Sequence, residues 1–194
     1  MIRVVAIASL FVVALAFGPA AQAVPIVFTA NLDGPSENPP NASPGTGAAV
    51  VIFDITAHLM QVMATFEDLI GTTTASHIHC CTPPPENVGV ATAVPTFPGF
   101  PLGVTNGSYD MTFDMTLAPS YNPAFVTANG GTVAGAEAAL FAGLLAGEAY
   151  FNIHTTQFPG GEIRGFLQQV PEPGTLGLLS FGLIGAFFAR RRGR

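Results

Sequence analysis

Short runs in which apolar and polar residues alternate occupy the middle of the chain and predict β-strands separated by turns. The run at 26–32 ends at Gly34-Pro35, and the runs at 48–55 and 59–66 flank a three-residue turn that predicts a hairpin. Further strands are predicted at 75–79, 108–117, 148–154 and 162–168. The last two flank a Pro-Gly-Gly turn and predict a closing hairpin.

One stretch has helical rather than alternating character. Residues 132–145 are rich in alanine, place Glu137 near their start and are followed by Gly147, as expected for a helix that ends at a glycine. The chain has 22 glycines and 17 prolines, which favours many short strands over a helical bundle. We therefore predict an all-β domain, an antiparallel Greek-key-like β-sandwich with one short helical crossover.

The first 23 residues have the three parts of a secretory signal peptide. Arg3 supplies the basic start, apolar or small residues follow at 4–17, and Ala21-Gln22-Ala23 supplies the cleavage site. A buried N-terminal helix would leave Arg3 and the cleavage site unexplained. We predict that signal peptidase removes residues 1–23 and that the secreted domain comprises residues 24–169.

The other end of the chain places an apolar segment, 175–189, before a basic cluster of Arg190, Arg191 and Arg192. A fifteen-residue helix rises about 22 Å, short of the ~30 Å hydrocarbon core, so a transmembrane helix here requires arginine snorkelling or local thinning of the bilayer. Because positive charge stays on the cytoplasmic side, the preceding domain is expected outside the membrane.

Pro171-Glu172-Pro173, placed before such a helix and arginine cluster, resembles the PEP-CTERM sorting signal. In Gram-negative bacteria that signal is recognised by a membrane-embedded exosortase. The resemblance, over residues 170–194, implies that Pro171, Glu172 and Pro173 are the recognition element. It also implies cleavage near the triplet and delivery of the domain to the cell surface or exopolysaccharide matrix. An ordinary C-terminal membrane anchor is the alternative interpretation.

The charge balance of the middle of the chain excludes one class of partner. Residues 24–169 carry a single cation, Arg164, against eleven acidic residues, a net charge of −10. Nucleic-acid binding needs a surface that neutralises phosphates, so we expect no nucleic-acid partner and regard cations as the natural ones. The sequence also contains no nucleophile elbow, phosphate-binding loop or zinc-protease helix, so we do not expect an enzyme.

Two histidines, His77 and His79, are two positions apart in a predicted strand, so their side chains project from the same face. Such a pair, with His154 as a third imidazole and Glu162 nearby, is a ligand set for copper or zinc. The pattern resembles the copper-binding strand of Cu/Zn superoxide dismutase, another Greek-key sandwich. The alternative interpretation is structural, with imidazoles donating to carbonyl groups and Arg164 paired with an acid such as Glu162.

Three of the four histidines, the arginine and Glu162 fall in two short blocks of an apolar domain. Burying such groups unpaired costs several kcal/mol each, so they are expected to satisfy one another. We predict that the strand carrying His154 lies beside the strand carrying His77 and His79, with Glu162 and Arg164 closing the cluster. The remaining histidine, His58, lies in a predicted turn and is expected to be solvated.

The only cysteines, Cys80 and Cys81, are adjacent to each other and follow directly after His79. A secreted protein rarely keeps free thiols, and three alternatives stay open: a vicinal disulfide, bridging between chains, or thiolate ligation beside the histidines. Separately, the loop containing Phe97 and Phe100 is a candidate carbohydrate contact.

Several blocks of the sequence together resemble the CHRD domain, named for its occurrence in chordin. The most specific block is Asn152-Ile153-His154-Thr155 followed by Gly161-Glu162-Ile163-Arg164-Gly165. Earlier blocks at 28–32, 37–40 and 77–79 agree, whereas Cys80-Cys81 stands where the family commonly continues with glycine. The resemblance spans residues 27–167 and implies an extracellular β domain.

Combined with the two ends, these patterns predict a secreted, exosortase-sorted protein that acts as a structural or binding component of the cell surface or exopolysaccharide matrix. Its membrane anchorage through the C-terminal helix is expected to be transient. The alternative function is that of an extracellular copper- or zinc-binding protein that uses His77, His79 and His154.

Overall fold

The computed structural model describes residues 24–171. The predicted signal peptide, Glu172, Pro173, the predicted transmembrane helix and the arginine cluster at 190–192 lie outside the described residues. Between residues 24 and 171, no helix is long and apolar enough to cross a membrane.

Eight strands and two α-helices make up the described domain. In chain order they are β1 (Ile26–Asp33), β2 (Thr46–Asp54), β3 (Leu59–Glu67), β4 (Thr73–Cys80), β5 (Gly107–Asp114), α1 (Pro123–Ala128), α2 (Val133–Leu145), β6 (Ala149–Thr155), β7 (Ile163–Phe166) and β8 (Gln168–Gln169). A short 3-10 helix, Ala118–Ser120, precedes α1.

All eight strands belong to one sheet, and every strand pair in it is antiparallel. The order is β4-β6-β7-β1-β2-β3-β5, and β8 also pairs with β1. The predicted hairpin is β2–β3, which pairs from Thr46 opposite Glu67 to Asp54 opposite Leu59. The predicted all-β, antiparallel fold is confirmed.

The sheet curls so that strands distant in its order share one core. The ring of Phe97, from the connection between β4 and β5, lies 5.9 Å from Tyr109 and 5.3 Å from Phe113 of β5, centroid to centroid. The same ring lies 6.0 Å from Phe151 of β6. Because β5 and β6 are far apart in the strand order, a flat sheet could not bring both against one side chain. Two facing halves of the sheet therefore enclose the core, as in a sandwich.

The predicted helix over residues 132–145 is α2, and it packs against β4, β6 and β8. Ala136, Leu140 and Leu144 recur every four residues and are buried along one stripe. The Thr132 side chain caps the helix by accepting a hydrogen bond from the Gly135 N–H at 3.1 Å. Helix α1 was not predicted, although Asn122-Pro123 is a typical helix start, with the asparagine side chain accepting from the N–H of Ala124.

Three neighbouring strands, β4, β6 and β7, are buried almost throughout on both faces. Ile78, Phe151 and Ile163 point into the core. The opposite, outer face carries polar side chains, and the loops at 34–41 and 81–98 contact it through hydrogen bonds. A second, polar layer therefore lies outside the sheet at this position.

Candidate metal centre

The outer face of β4 and β6 brings three histidines together. Ala75 lies opposite His154, and His77 opposite Asn152, so His154 is a diagonal neighbour of His77. The ring centroids are 5.3 Å apart for His77 and His154, 5.8 Å for His79 and His154, and 5.9 Å for His77 and His79. The predicted adjacency of the two strands is confirmed.

Each of the three imidazoles uses one nitrogen to bind a backbone carbonyl group in a neighbouring loop. Because a carbonyl oxygen only accepts, the nitrogen that faces it carries the proton, and the fold thereby sets the tautomer of each neutral ring. The three hydrogen bonds run from His77 Nε2 to Pro95 O at 2.6 Å, from His79 Nδ1 to Val88 O at 2.8 Å, and from His154 Nδ1 to Pro159 O at 3.0 Å.

The second nitrogen of each ring has no hydrogen-bond partner among the described residues. These atoms, His77 Nδ1, His79 Nε2 and His154 Nε2, are all buried. One ring nitrogen from each histidine can be chosen so that all three lie within 4.8 Å of one another. Since a buried acceptor without a partner costs about 1–3 kcal/mol, three such lone pairs in one small volume suit a shared ligand that accepts electron pairs.

Burial keeps these three rings neutral. Desolvation of the charged form and, to a smaller extent, repulsion from the positive charge that His154 would carry lower the pKa of His77 and of His79 to about 4. The pKa of His154 is also below its ordinary value because of burial. Neutral imidazole is the form that binds metal ions, so the histidines are ready to act as ligands at neutral pH.

The Glu162 carboxylate does not take part in the histidine cluster. Burial alone would raise its pKa, but hydrogen bonds from four donors hold it below the ordinary value. Of the acids expected to pair with Arg164, Glu162 is not the one, because both oxygens of its carboxylate are occupied elsewhere. Its donors are Ser43 Oγ at 2.6 Å, Ile70 N at 2.6 Å, Gly71 N at 3.1 Å and Thr155 Oγ1 at 2.6 Å.

Arg164, fully buried, anchors the loops that cover the histidines. Its guanidinium donates to the carbonyl group of Ser36, to Asn87 Oδ1 at 2.6 Å and to the carbonyl group of Pro85 at 2.7 Å. Its acidic neighbour is Glu37, with Oε2 3.9 Å from Nε. The loop that Arg164 holds at 85–87 continues into Val88 and Pro95, which orient His79 and His77, so Arg164 positions the cluster through this loop.

Tyr150 connects Arg164 to the histidines. Its ring stacks on that of His79, with centroids 4.7 Å apart and an interplanar angle of 5°. The Arg164 Cζ lies 4.7 Å from the centroid of the same tyrosine ring. A positive charge therefore lies in the layer next to the three imidazoles.

The structure joins Cys80 and Cys81 in a vicinal disulfide directly after His79. Of the three alternatives left open by the sequence, this is the one that the structure contains. Both sulfurs pack against Gly143 of α2, where any side chain would collide with them. The disulfide therefore lies between β4 and α2, and no free thiol stands beside the histidines.

The prediction of a carbohydrate contact is wrong. Phe97 and Phe100 are 0% and 5% exposed and belong to the core, so they cannot stack on a carbohydrate. His58 is exposed, as expected, and its Nδ1 also lies 2.9 Å from both carboxylate oxygens of the buried Glu137.

The groups that orient the cluster were not indicated by the sequence. Glu37 and Asn87 lie in proline-rich loops, and their contacts with Arg164 depend on how those loops fold back over the sheet. The carbonyl groups of Pro95, Val88 and Pro159 carry no residue-specific signal, since every residue has one.

Comparison with known families agrees with the two resemblances noted in the sequence, that of the middle of the chain and that of its C-terminal end. The CHRD domain family model matches residues 28–167, well over half of the chain, and the PEP-CTERM protein-sorting motif matches residues 169–192. No curated protein and no solved structure matches the chain. The sorting motif directs exosortase-dependent secretion in Gram-negative bacteria, with transient anchoring in the membrane. The chain belongs to the CHRD domain family and carries a PEP-CTERM sorting motif.

Proposed function

We propose that this protein is an extracellular copper- or zinc-binding domain, carried to the cell surface by its sorting motif. The observation that supports this most is twofold: His77, His79 and His154 each keep one buried ring nitrogen without a partner, and one ring nitrogen of each can be chosen within 4.8 Å of the other two. A purely structural network would engage both nitrogens of each ring. Here the fold engages one nitrogen of each ring and leaves the other free.

The surroundings of the three rings are those of metal-ligating histidines. Such histidines usually donate their other N–H to a carbonyl group or carboxylate, which fixes the orientation of the ring. Three nitrogens bound at 2.0–2.1 Å to one ion lie roughly 3.5 Å apart. In the structure the ring nitrogens lie within 4.8 Å of one another, so the distances between them need to shorten by little more than about 1 Å. Ordinary side-chain rotation supplies such a movement.

A binding role, rather than catalysis, is the proposal for this site. Metal binding is compatible with a structural or binding role in the exopolysaccharide matrix, the second candidate function, which the sorting motif favours. Fractionation of cells with active exosortase tests the second candidate. We expect the protein at the surface or in the matrix, and retention in the inner membrane would contradict it.

Metal binding is tested on the secreted protein by thermal unfolding and by metal analysis after dialysis. We expect copper or zinc to raise the melting temperature through mass action, with one ion per chain. His77→Ala should abolish both effects, whereas His58→Ala, which changes a histidine outside the cluster, should leave them intact. Equal metal binding by wild type and His77→Ala would contradict the proposal.

A further inference from the structure

We infer that the ion held by His77, His79 and His154 is monovalent copper, bound in preference to divalent ions. This inference rests on the proposed function of the same three-histidine site and names its ligand more narrowly. Three features of the site carry it: the chemistry of the ligand set, the number of ligands, and the charge of the surroundings.

The ligand set of the described domain is purely imidazole. Among residues 24–171, the cluster able to hold a metal consists of the three histidines alone. Glu162, the acid expected beside the histidines from the sequence, has its oxygens taken up by four donors. Cys80 and Cys81 are joined to each other and supply no thiolate. The protein therefore brings no negative charge to the bound ion.

The number of ligands is three, and all three nitrogens are buried. Zinc in proteins is almost always four-coordinate, and divalent copper prefers four ligands in a tetragonal arrangement. Monovalent copper has a filled d shell and is stable with three nitrogen ligands in a trigonal arrangement. A divalent ion would have to recruit a water or anion into this buried site, whereas monovalent copper needs no fourth ligand.

The charge of the surroundings also favours a monovalent ion over a divalent one. Arg164 lies against Tyr150, whose ring stacks on His79. Glu37 compensates this charge incompletely, because its Oε2 is 3.9 Å from the guanidinium and burial raises its pKa to about 7. The cost of burying an ion grows with the square of its charge, and repulsion from a neighbouring cation grows in proportion to it. Both penalties fall more heavily on a divalent ion.

The test is a pair of competition titrations on the full secreted protein. One titrates monovalent copper under anaerobic, reducing conditions against a chromogenic copper(I) chelator, and the other titrates zinc against a zinc chelator. We expect one copper ion per chain and a dissociation constant at least about 1,000-fold lower for copper(I) than for zinc, a difference of roughly 4 kcal/mol. X-ray absorption of the copper-loaded protein should show three nitrogen neighbours and no sulfur.

The outcomes separate this inference from the proposed function. Zinc binding as tight as copper(I), lost in His77→Ala, would overturn the preference for monovalent copper and leave the metal site standing. Binding of neither ion would overturn both. A sulfur neighbour in the absorption spectrum would overturn the imidazole-only site.

Glu37→Gln tests the charge argument by itself, since it removes the partial compensation of Arg164 without changing a ligand. We expect zinc binding to weaken more than copper(I) binding, so that their affinity ratio rises about threefold or more. An unchanged or smaller ratio would overturn the role assigned to the charge. His58→Ala serves as the control and should leave the ratio as it is.

Discussion

Two groups of buried polar side chains lie on or directly beside the neighbouring strands β4, β6 and β7, and they differ in how completely their hydrogen-bonding groups are satisfied. Glu162 accepts from four donors, and Arg164 donates to three acceptors. The histidines at 77, 79 and 154 each make one hydrogen bond and keep one buried nitrogen without a partner. Both groups are polar and buried, but only in the first does every side-chain nitrogen and oxygen have a hydrogen-bond partner among the described residues.

The comparison separates a structural role from a binding role. Full satisfaction fixes loops in place, because the partners of the carboxylate and the guanidinium come from several segments that are far apart in the sequence. An unpartnered buried nitrogen destabilises the metal-free fold, and its cost is recovered only when a ligand occupies it. Substitutions in the first group should therefore lower stability, and substitutions in the second should mainly remove metal binding.

The largest effect is expected for Arg164→Ala. This change removes three hydrogen bonds and leaves Glu37 buried without its cationic neighbour, so it should lower the free energy of unfolding by roughly 3 kcal/mol or more. Urea denaturation of the metal-free protein measures it. A loss below about 1 kcal/mol would show that the loops at 34–41 and 81–98 are held by other contacts.

A smaller loss, about 2 kcal/mol, is expected for Glu162→Gln. The amide presents an NH₂ group to donors that need an acceptor, and it cannot ionise. Because the folded-state pKa of Glu162 is depressed, its contribution is present above the unfolded pKa and is lost as pH falls through the folded pKa. The free energies of unfolding of wild type and variant should therefore converge at acid pH. A difference between them that stays constant with pH would contradict this.

The second group, the histidines, is tested by measuring the stability of the metal-free protein as a function of pH. The unfolded imidazoles take up protons near pH 6.5, whereas the folded pKa of His77 and of His79 is about 4. The unfolded state therefore binds more protons, and stability falls as pH falls from about 6.5 towards 4. In His77→Ala the free energy of unfolding should fall less steeply with decreasing pH, because one of the buried histidines that contribute to the fall is removed. Histidine titration by NMR near pH 6.5 in the folded protein would contradict the burial argument.

The smallest change in stability is expected for His77→Ala at neutral pH without metal. Lost packing destabilises the variant, but removal of an unpartnered buried nitrogen offsets part of that loss, which leaves about 1 kcal/mol. Denaturation of the metal-free variant measures this. A loss as large as that of Arg164→Ala would mean that the histidine cluster is structural after all.

Much of this arrangement could be predicted from local patterns. The β2–β3 hairpin follows from two alternating runs around a short turn, and α2 follows from its spacing and its cap at Thr132. The meeting of His154 with His77 and His79 was predicted correctly, but the three rings do not satisfy one another, since each keeps one buried nitrogen without a partner. These inferences needed no knowledge of how distant segments fold.

What could not be predicted depends on long-range contacts. One residue pair, Asp33 opposite Arg164, joins β1 to β7 and makes one continuous sheet of what the sequence indicated as a two-sheet sandwich. Phe97 is in the core because its proline-rich loop folds back between β5 and β6. Glu162 turns away from the histidines because its donors come from residues such as Ser43 and Ile70, far away in sequence.

The central claim is that the fold sets three histidine tautomers whose free nitrogens hold one ion. Long-range proton–nitrogen NMR of the histidine rings, recorded before and after one equivalent of copper(I), tests it most directly. The account predicts that Nδ1 of His77 and Nε2 of His79 and His154 shift on binding, while the opposite nitrogens stay protonated towards their carbonyl groups. Unshifted nitrogens, or a shift at the carbonyl-bound nitrogens instead, would contradict it.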